Sequence, residues 1–199
     1  MTPNKKYGGN MTTDMVVIGG SAGSLQVVLD ILPQLKKDLR LSIVIIFHRK
    51  AVQEPDFLVE LLGSKCPLQV KEAEDKEPIL QGVVYLAAAD YHLFIEKNLS
   101  FSLDISEKIN FSRPSIDLTF QSAADTYQEK LVGVLLSGAN ADGVTGMQSI
   151  KLRGGYCIAQ DPVTCQIPYM PAQAIAKNLI DQIATPDQIA QFINSQTAS

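Results

Sequence analysis

Apolar positions along the chain fall into two alternating kinds of pattern. Residues 15–19 (MVVIG) form a short continuous run, then come a Gly/Ser-rich turn and Leu25, Val28, Leu29, Leu32 and Leu35. That i, i+3, i+4, i+7 spacing predicts a helix with one buried face. Residues 41–47 (LSIVIIF) are a second, β-branched run, suited to a strand buried on both faces. A strand–helix–strand unit of this kind is parallel and right-handed. The same reading predicts strands at 68–71, 82–87, 131–136 and 156–159, and helices at 55–62, 114–127, 144–152, 172–177 and 186–194. Pro114 fits a first helical turn, and Gly154-Gly155 ends the helix before it. One segment breaks the pattern. Leu99, Phe101 and Leu103 alternate with Ser100 and Ser102, and Lys97-Asn98 makes a two-residue connection back to 93–96. This predicts a half-exposed antiparallel hairpin. The sum is a three-layer α/β fold, a doubly wound and mainly parallel sheet with that hairpin inserted.

Composition narrows the function classes. The 199 residues suit one domain at 14–194, with a polar, disordered lead-in at 1–13 and a flexible tail at 195–199. A net charge of −4 argues against nucleic acid or an anionic membrane as the main partner. The longest apolar run, 41–47, is far short of the roughly 20 residues that span a bilayer, and no secretory signal precedes the first strand. Three cysteines, at 66, 157 and 165, make neither an even framework nor a C-x-x-C spacing. Reduced thiols in a cytoplasmic protein are the simplest expectation. With two histidines in the chain, any imidazole chemistry belongs to His48 or His92.

In an open α/β sheet, ligands bind beyond the carboxyl ends of the strands. The first strand delivers Gly19-Gly20-Ser21-Ala22-Gly23-Ser24 there, the second delivers His48, and the strand ending near Leu136 delivers Ser137 to Gly143 with Asp142. A serine hydroxyl is a poor nucleophile until an imidazole takes its proton, and a carboxylate fixes the imidazole's tautomer and stabilises its charged form. Ser21, His48 and Asp142 thus form a candidate catalytic set, with the Ala22 amide as the first oxyanion donor. Taken singly, each has a plainer reading: Ser21 as a helix cap, His48 as a strand-end residue, Asp142 as a turn residue. His92, where the chain enters the hairpin, fits a packing or supporting role. A dinucleotide site fails on spacing, because Ser21 and Ser24 stand where G-x-G-x-x-G needs glycine. Nothing has metal-ligand spacing.

The residues as a set resemble a known family. Ile18-Gly19-Gly20-Ser21-Ala22-Gly23 is similar to the I-G-A-S-T-G segment of the chemotaxis receptor methylesterases, the CheB-type catalytic domain. Val83 to Ala87, Tyr91-His92-Leu93, Arg113-Pro114-Ser115-Ile116-Asp117, Ser122-Ala123-Ala124, Gly138-x-x-Ala141-Asp142-Gly143-x-x-Gly146, Gly154-Gly155, Ala159-Gln160-Asp161 and Met170-Pro171 continue the match in collinear order over 14–194. The family's nucleophile falls on Ser21, its histidine on His48 and its aspartate on Asp142. The resemblance implies hydrolysis of glutamate methyl esters on the cytoplasmic helices of chemoreceptors, with release of methanol, and deamidation of some receptor glutamines. It implies no cofactor and no metal. Arg113 takes a substrate-binding role on the same basis, and Ala139 is taken as the second oxyanion donor. Ala22 stands where the family usually has threonine, and Gly138-Ala139-Asn140 replaces Gly-Met-Gly. The family's usual N-terminal receiver domain has no counterpart in the 13 residues before the first strand, which fits a stand-alone enzyme or an excised catalytic domain. Two other readings remain at this point: a serine esterase or amidase for another substrate, and a non-catalytic binding module on the same fold.

Overall fold

In the computed structural model, which describes residues 13–49, 57–109 and 112–196, successive residues of the first apolar run enter opposite cores. The elements follow in the order β1 (Met15–Gly20), α1 (Ser24–Ile31), β2 (Ser42–Phe47), α2 (Phe57–Gly63), β3 (Gln69–Glu72), β4 (Val83–Leu86), β5 (His92–Ile95), β6 (Phe101–Asp104), α3 (Ile116–Tyr127), β7 (Leu131–Leu135), α4 (Val144–Leu152), β8 (Tyr156–Gln160), α5 (Tyr169–Ala176), β9 (Gln182–Ala184) and α6 (Pro186–Ser195). Val16 and Ile18 of β1 join Ile43 and Ile45 of β2 against α1, α2 and α6. Met15 and Val17 join Val44 and Ile46 against α3, α4, α5 and the β5–β6 hairpin. This period of two, with both faces covered, is why the central strands are continuously apolar.

Seven strands pair in the order β3-β4-β2-β1-β7-β8-β9, every pair parallel. The antiparallel β5–β6 pair forms a separate two-stranded sheet. From β1 the chain passes first to β2 on one side, and later returns to β7 on the other. The loops that leave β1, β2 and β7 therefore diverge at one switch point, where α/β sheets place their ligands.

Several boundaries depart from the sequence expectation for local physical reasons. Leu25 is 38% exposed, whereas Val27, Val28 and Ile31 carry the buried face of α1. The helix gives way to a 3₁₀ turn over Leu32–Gln34, with Pro33 inside it, and this re-aims the last apolar residues. The hairpin connection is three residues, not two: Glu96 and Ser100 are still bonded, and Leu99 takes a left-handed φ of 61°. Pro114 precedes the cap of α3, which is Ser115, so it lies just outside the first turn. Helix α5 starts three residues early, at Tyr169, because Pro171 in the first turn lacks only an N–H that has no helical partner. The three-residue β9 is too short to show alternation. Residues 1–12 of the expected lead-in, 197–199 of the tail and 55–56 of the expected helix 55–62 lie outside the described residues.

Helix α3 meets both β1 and α4 through glycines. A Cβ on Gly19 would lie 2.4 Å from Ile116 Cγ2, and one on Gly146 would lie 2.5 Å from Phe120 Cβ. Phe120 is fully buried at this crossing. Phe120→Ala is expected to destabilise the fold by about 3–5 kcal/mol, because the surrounding backbone cannot collapse into the space. Urea denaturation of the two proteins measures it.

Candidate active site

The Ser21 turn is built by close approach. A Cβ on Gly20 would lie 2.4 Å from Ser24 Cβ, and Gly23, at φ 82°, lies so close to Gln166 that a Cβ would meet its side chain at 2.6 Å. Only glycine allows both the left-handed conformation and the contact. Ser21 N–H donates to the Ser137 carbonyl at 2.9 Å, and Ser24 Oγ donates back to the Ser21 carbonyl at 2.6 Å. The buried Ser137 hydroxyl donates to the Ala22 carbonyl at 2.8 Å and accepts from Ile167 N–H at 3.0 Å. Gly138 exchanges backbone bonds with Ile167 and Met170, so the loop after β7 and the segment before α5 clamp the turn from outside. Ser21 itself is half-buried, while Ala22 and Ala139 are exposed.

The strand register sets the rest. Gly20 pairs with Phe47 at the ends of β1 and β2, so Ser21 and His48 leave neighbouring strands together, and His48 N–H reaches the Gly20 carbonyl at 3.4 Å. His48 Nε2 lies 2.7 Å from Asp142 Oδ2, with the histidine side chain 11% exposed and the aspartate fully buried. An ionised carboxylate can only accept, so Nε2 carries the proton and Nδ1 is left as an acceptor.

Asp142 sits against the N-terminus of α3. Its Oδ2 also accepts from Ile116 N–H at 2.8 Å, and its Oδ1 accepts from Asp117 N–H, Gly143 N–H and the Ser115 hydroxyl at 3.0, 3.1 and 3.1 Å. Burial pushes this carboxyl's pKa up, but the His48 bond and the α3 amides outweigh it and hold the value below the ordinary range. Free helix N-terminal amides favour an anion in this way.

Each residue expected from the sequence can now be placed. Ser21, His48, Asp142, Ala22 and Ala139 all lie on loops leaving the carboxyl edge of the sheet. Arg113 Nη1 donates to the Ile105 and Ser106 carbonyls at 2.7 and 2.8 Å, holding the loop after β6. His92 is fully buried as a strut, its Nδ1 accepting from Ser115 N–H at 3.2 Å and its Nε2–H donating to the Glu107 carbonyl at 3.0 Å. Two residues at the site were not singled out from the sequence. Ser115 caps α3 and bonds Asp142, and Asp117 accepts from Gly146 N–H at 2.7 Å. A Ser-x-Asp at a helix start after proline was the available signal. Among the described residues no cluster of His, Cys, Asp and Glu could hold a metal ion, and no helix is long and apolar enough to cross a membrane. The three cysteines are free, and burial pushes the Cys157 thiol up to about 12.

Asp117 has a stability consequence. Burial raises its carboxyl to about 6, the nearby Asp142 charge adds to this, and the Gly146 amide opposes it. A folded value above the unfolded one contributes stability below the unfolded pKa and loses it as pH rises through the folded one. Wild type should therefore lose stability relative to Asp117→Asn between about pH 4 and pH 8, read as the difference in Tm across that range.

A family model described as CheB methylesterase matches residues 16–193. A putative protein-glutamate methylesterase/protein-glutamine glutaminase of Leptospira interrogans is 42% identical over 182 residues, covering 92% of this chain and 94% of the relative. A protein-glutamate methylesterase/protein-glutamine glutaminase of Thermotoga maritima is 38% identical over 85% of this chain, which spans 50% of that relative's length. The crystal structure of the Thermotoga maritima CheB methylesterase catalytic domain superposes with a TM-score of 0.87 at 35% identity, covering 92% of this chain and 98% of that one. With the family pattern matched from β1 to α6 and the same architecture in a solved relative, this chain belongs to the CheB methylesterase family.

Proposed function

We propose that this protein is a protein-glutamate methylesterase in which Ser21, His48 and Asp142 act as a catalytic triad. The observation that carries the reading is the 2.7 Å His48–Asp142 bond at the end of β2, one strand away from the Ser21 turn. The names borne by its relatives support the substrate class, a γ-methyl ester of a glutamate side chain, with glutamine deamidation as the parallel reaction. Its partners in this reading are the methylated cytoplasmic helices of chemoreceptors, and its place is the cytoplasm.

The steps follow from the groups present. Ser21 Oγ attacks the ester carbonyl carbon while His48 Nδ1 takes the hydroxyl proton. The carbonyl oxygen becomes an oxyanion, held by the Ala22 amide beside the nucleophile and the Ala139 amide across the crevice. Loss of one such donor typically costs ~3 kcal/mol of transition-state stabilisation. Collapse expels methoxide, which takes the proton from His48 and leaves as methanol. Water, deprotonated by the same imidazole, then attacks the acyl-serine and releases the glutamate carboxylate. Throughout, Asp142 stays ionised and stabilises the imidazolium without receiving its proton. For a glutamine side chain the leaving group is ammonia.

Methanol release from methylated receptor should vanish in Ser21→Ala and fall about 10³–10⁴-fold in Asp142→Asn, which keeps the shape but gives the imidazole the wrong tautomer. Equal release by wild type and Ser21→Ala contradicts the reading. A panel of simple acyl esters, turned over faster than methylated receptor peptides, would assign the same machinery to another substrate.

A further inference from the structure

The N-termini of α3 and α4 cap each other with carboxylates. Asp142, just ahead of α4, takes the amides of Ile116 and Asp117 in the first turn of α3. Asp117, in that turn, takes the Gly146 amide in the first turn of α4 at 2.7 Å. Each helix start supplies the anion that the other helix start needs, and the two carboxyls are buried side by side. Gly143 and Gly146 permit the approach. A Cβ on Gly143, at φ 91°, would lie 2.7 Å from Ile116 Cγ2, and one on Gly146 would lie 3.2 Å from the Asp117 carbonyl oxygen.

Two buried carboxyls in contact repel, and a helix cap alone does not require that arrangement: serine, threonine or asparagine caps a helix start without a buried charge. The second carboxyl lies against Asp142, which itself holds the His48 ring. We propose that Asp117 is a positioning residue for the hydrolysis: the crossed caps fix where Asp142 stands against His48, and the Asp117 carboxyl is electrostatically coupled to that pair. The inference rests on the triad reading given above.

Among the described residues, the ionisable groups linked to Asp117 are Asp142 on the β7–α4 loop, His48 beyond it at the end of β2, and His92 on β5, whose Nδ1 accepts from Ser115, itself bonded to Asp142. The parts of α4, β1 and β7 packed against the start of α3 present Gly143, Gly146, Gly19 and Leu135, none of them charged. Burial and the Asp142 charge both raise the Asp117 carboxyl, so it titrates near neutrality, where the coupling can be read.

Asp117→Asn keeps an oxygen for the Gly146 amide and removes the charge. Its kcat should fall about fivefold with KM unchanged. The acid limb of kcat/KM should move to lower pH by about half a unit, because one negative charge fewer disfavours the protonated imidazole. A residue that only held the helices together would alter Tm and leave the limb in place, so an unmoved limb with wild-type kcat overturns the proposal. Ser21→Ala in the same assay separates the two claims. If it matches wild type, the triad reading has failed; if it is inactive while Asp117→Asn matches wild type, only the Asp117 inference has. Carbon-13 NMR of the carboxyl groups in wild type tests the coupling without turnover or a variant. The Asp142 carboxyl signal should carry an inflection at the titration of Asp117, and its absence also overturns the proposal.

Discussion

Asp142 is a charged group with no exposed surface, so the fold around it must replace the water it has lost. Five donors do this: the His48 ring, the amides of Ile116, Asp117 and Gly143, and the Ser115 hydroxyl. They come from the end of β2, the start of α3 and the loop before α4, elements on both sides of the switch point. A buried carboxylate missing one of these partners would be strongly destabilising, since a lone charge in the interior stays uncompensated. The placement of α3 across the sheet, the glycines where it meets β1 and α4, and the buried His92 that holds Ser115 all serve this requirement. The geometry of the His48–Asp142 pair and the packing of this layer are therefore one construction.

The Ser21 turn is held by a different device. Around Ser21 the bonds are backbone to backbone or run from small hydroxyls to the backbone, and Ser137 joins the turn to the segment before α5. A turn fixed by its main chain leaves the Ser21 side chain free of structural duty. Ala22 and Ala139 are exposed on this rim. Ala22 places no side-chain hydroxyl there.

Much of this was legible in the chain because the site residues each follow a core strand. The runs at 15–19, 41–47 and 131–136 are apolar on both faces, which marks them as central parallel strands. The rule that ligands bind at their carboxyl ends then selects Ser21, His48 and Asp142. Local chemistry was less legible where two segments distant in sequence share a task. Asp117 reads as an ordinary first-turn acid until the start of α4, 29 positions on, is seen to donate its Gly146 amide to it. Arg113 sits in a motif that suggested substrate contact, and the sequence did not show that its Nη1 also ties down the Ile105 and Ser106 carbonyls. Leu25 is exposed because the buried stripe of α1 runs through Ser24, Val27, Val28 and Ile31, one position away from it.

The central claim is that the buried Asp142–His48 pair makes Ser21 a nucleophile. Its most direct test is the rate at which a fluorophosphonate probe modifies the protein, with the labelled residue located by mass spectrometry. The account requires one label per chain on Ser21 in wild type and a rate lower by orders of magnitude in His48→Gln. Labelling of Ser21 at the same rate in both proteins would contradict it.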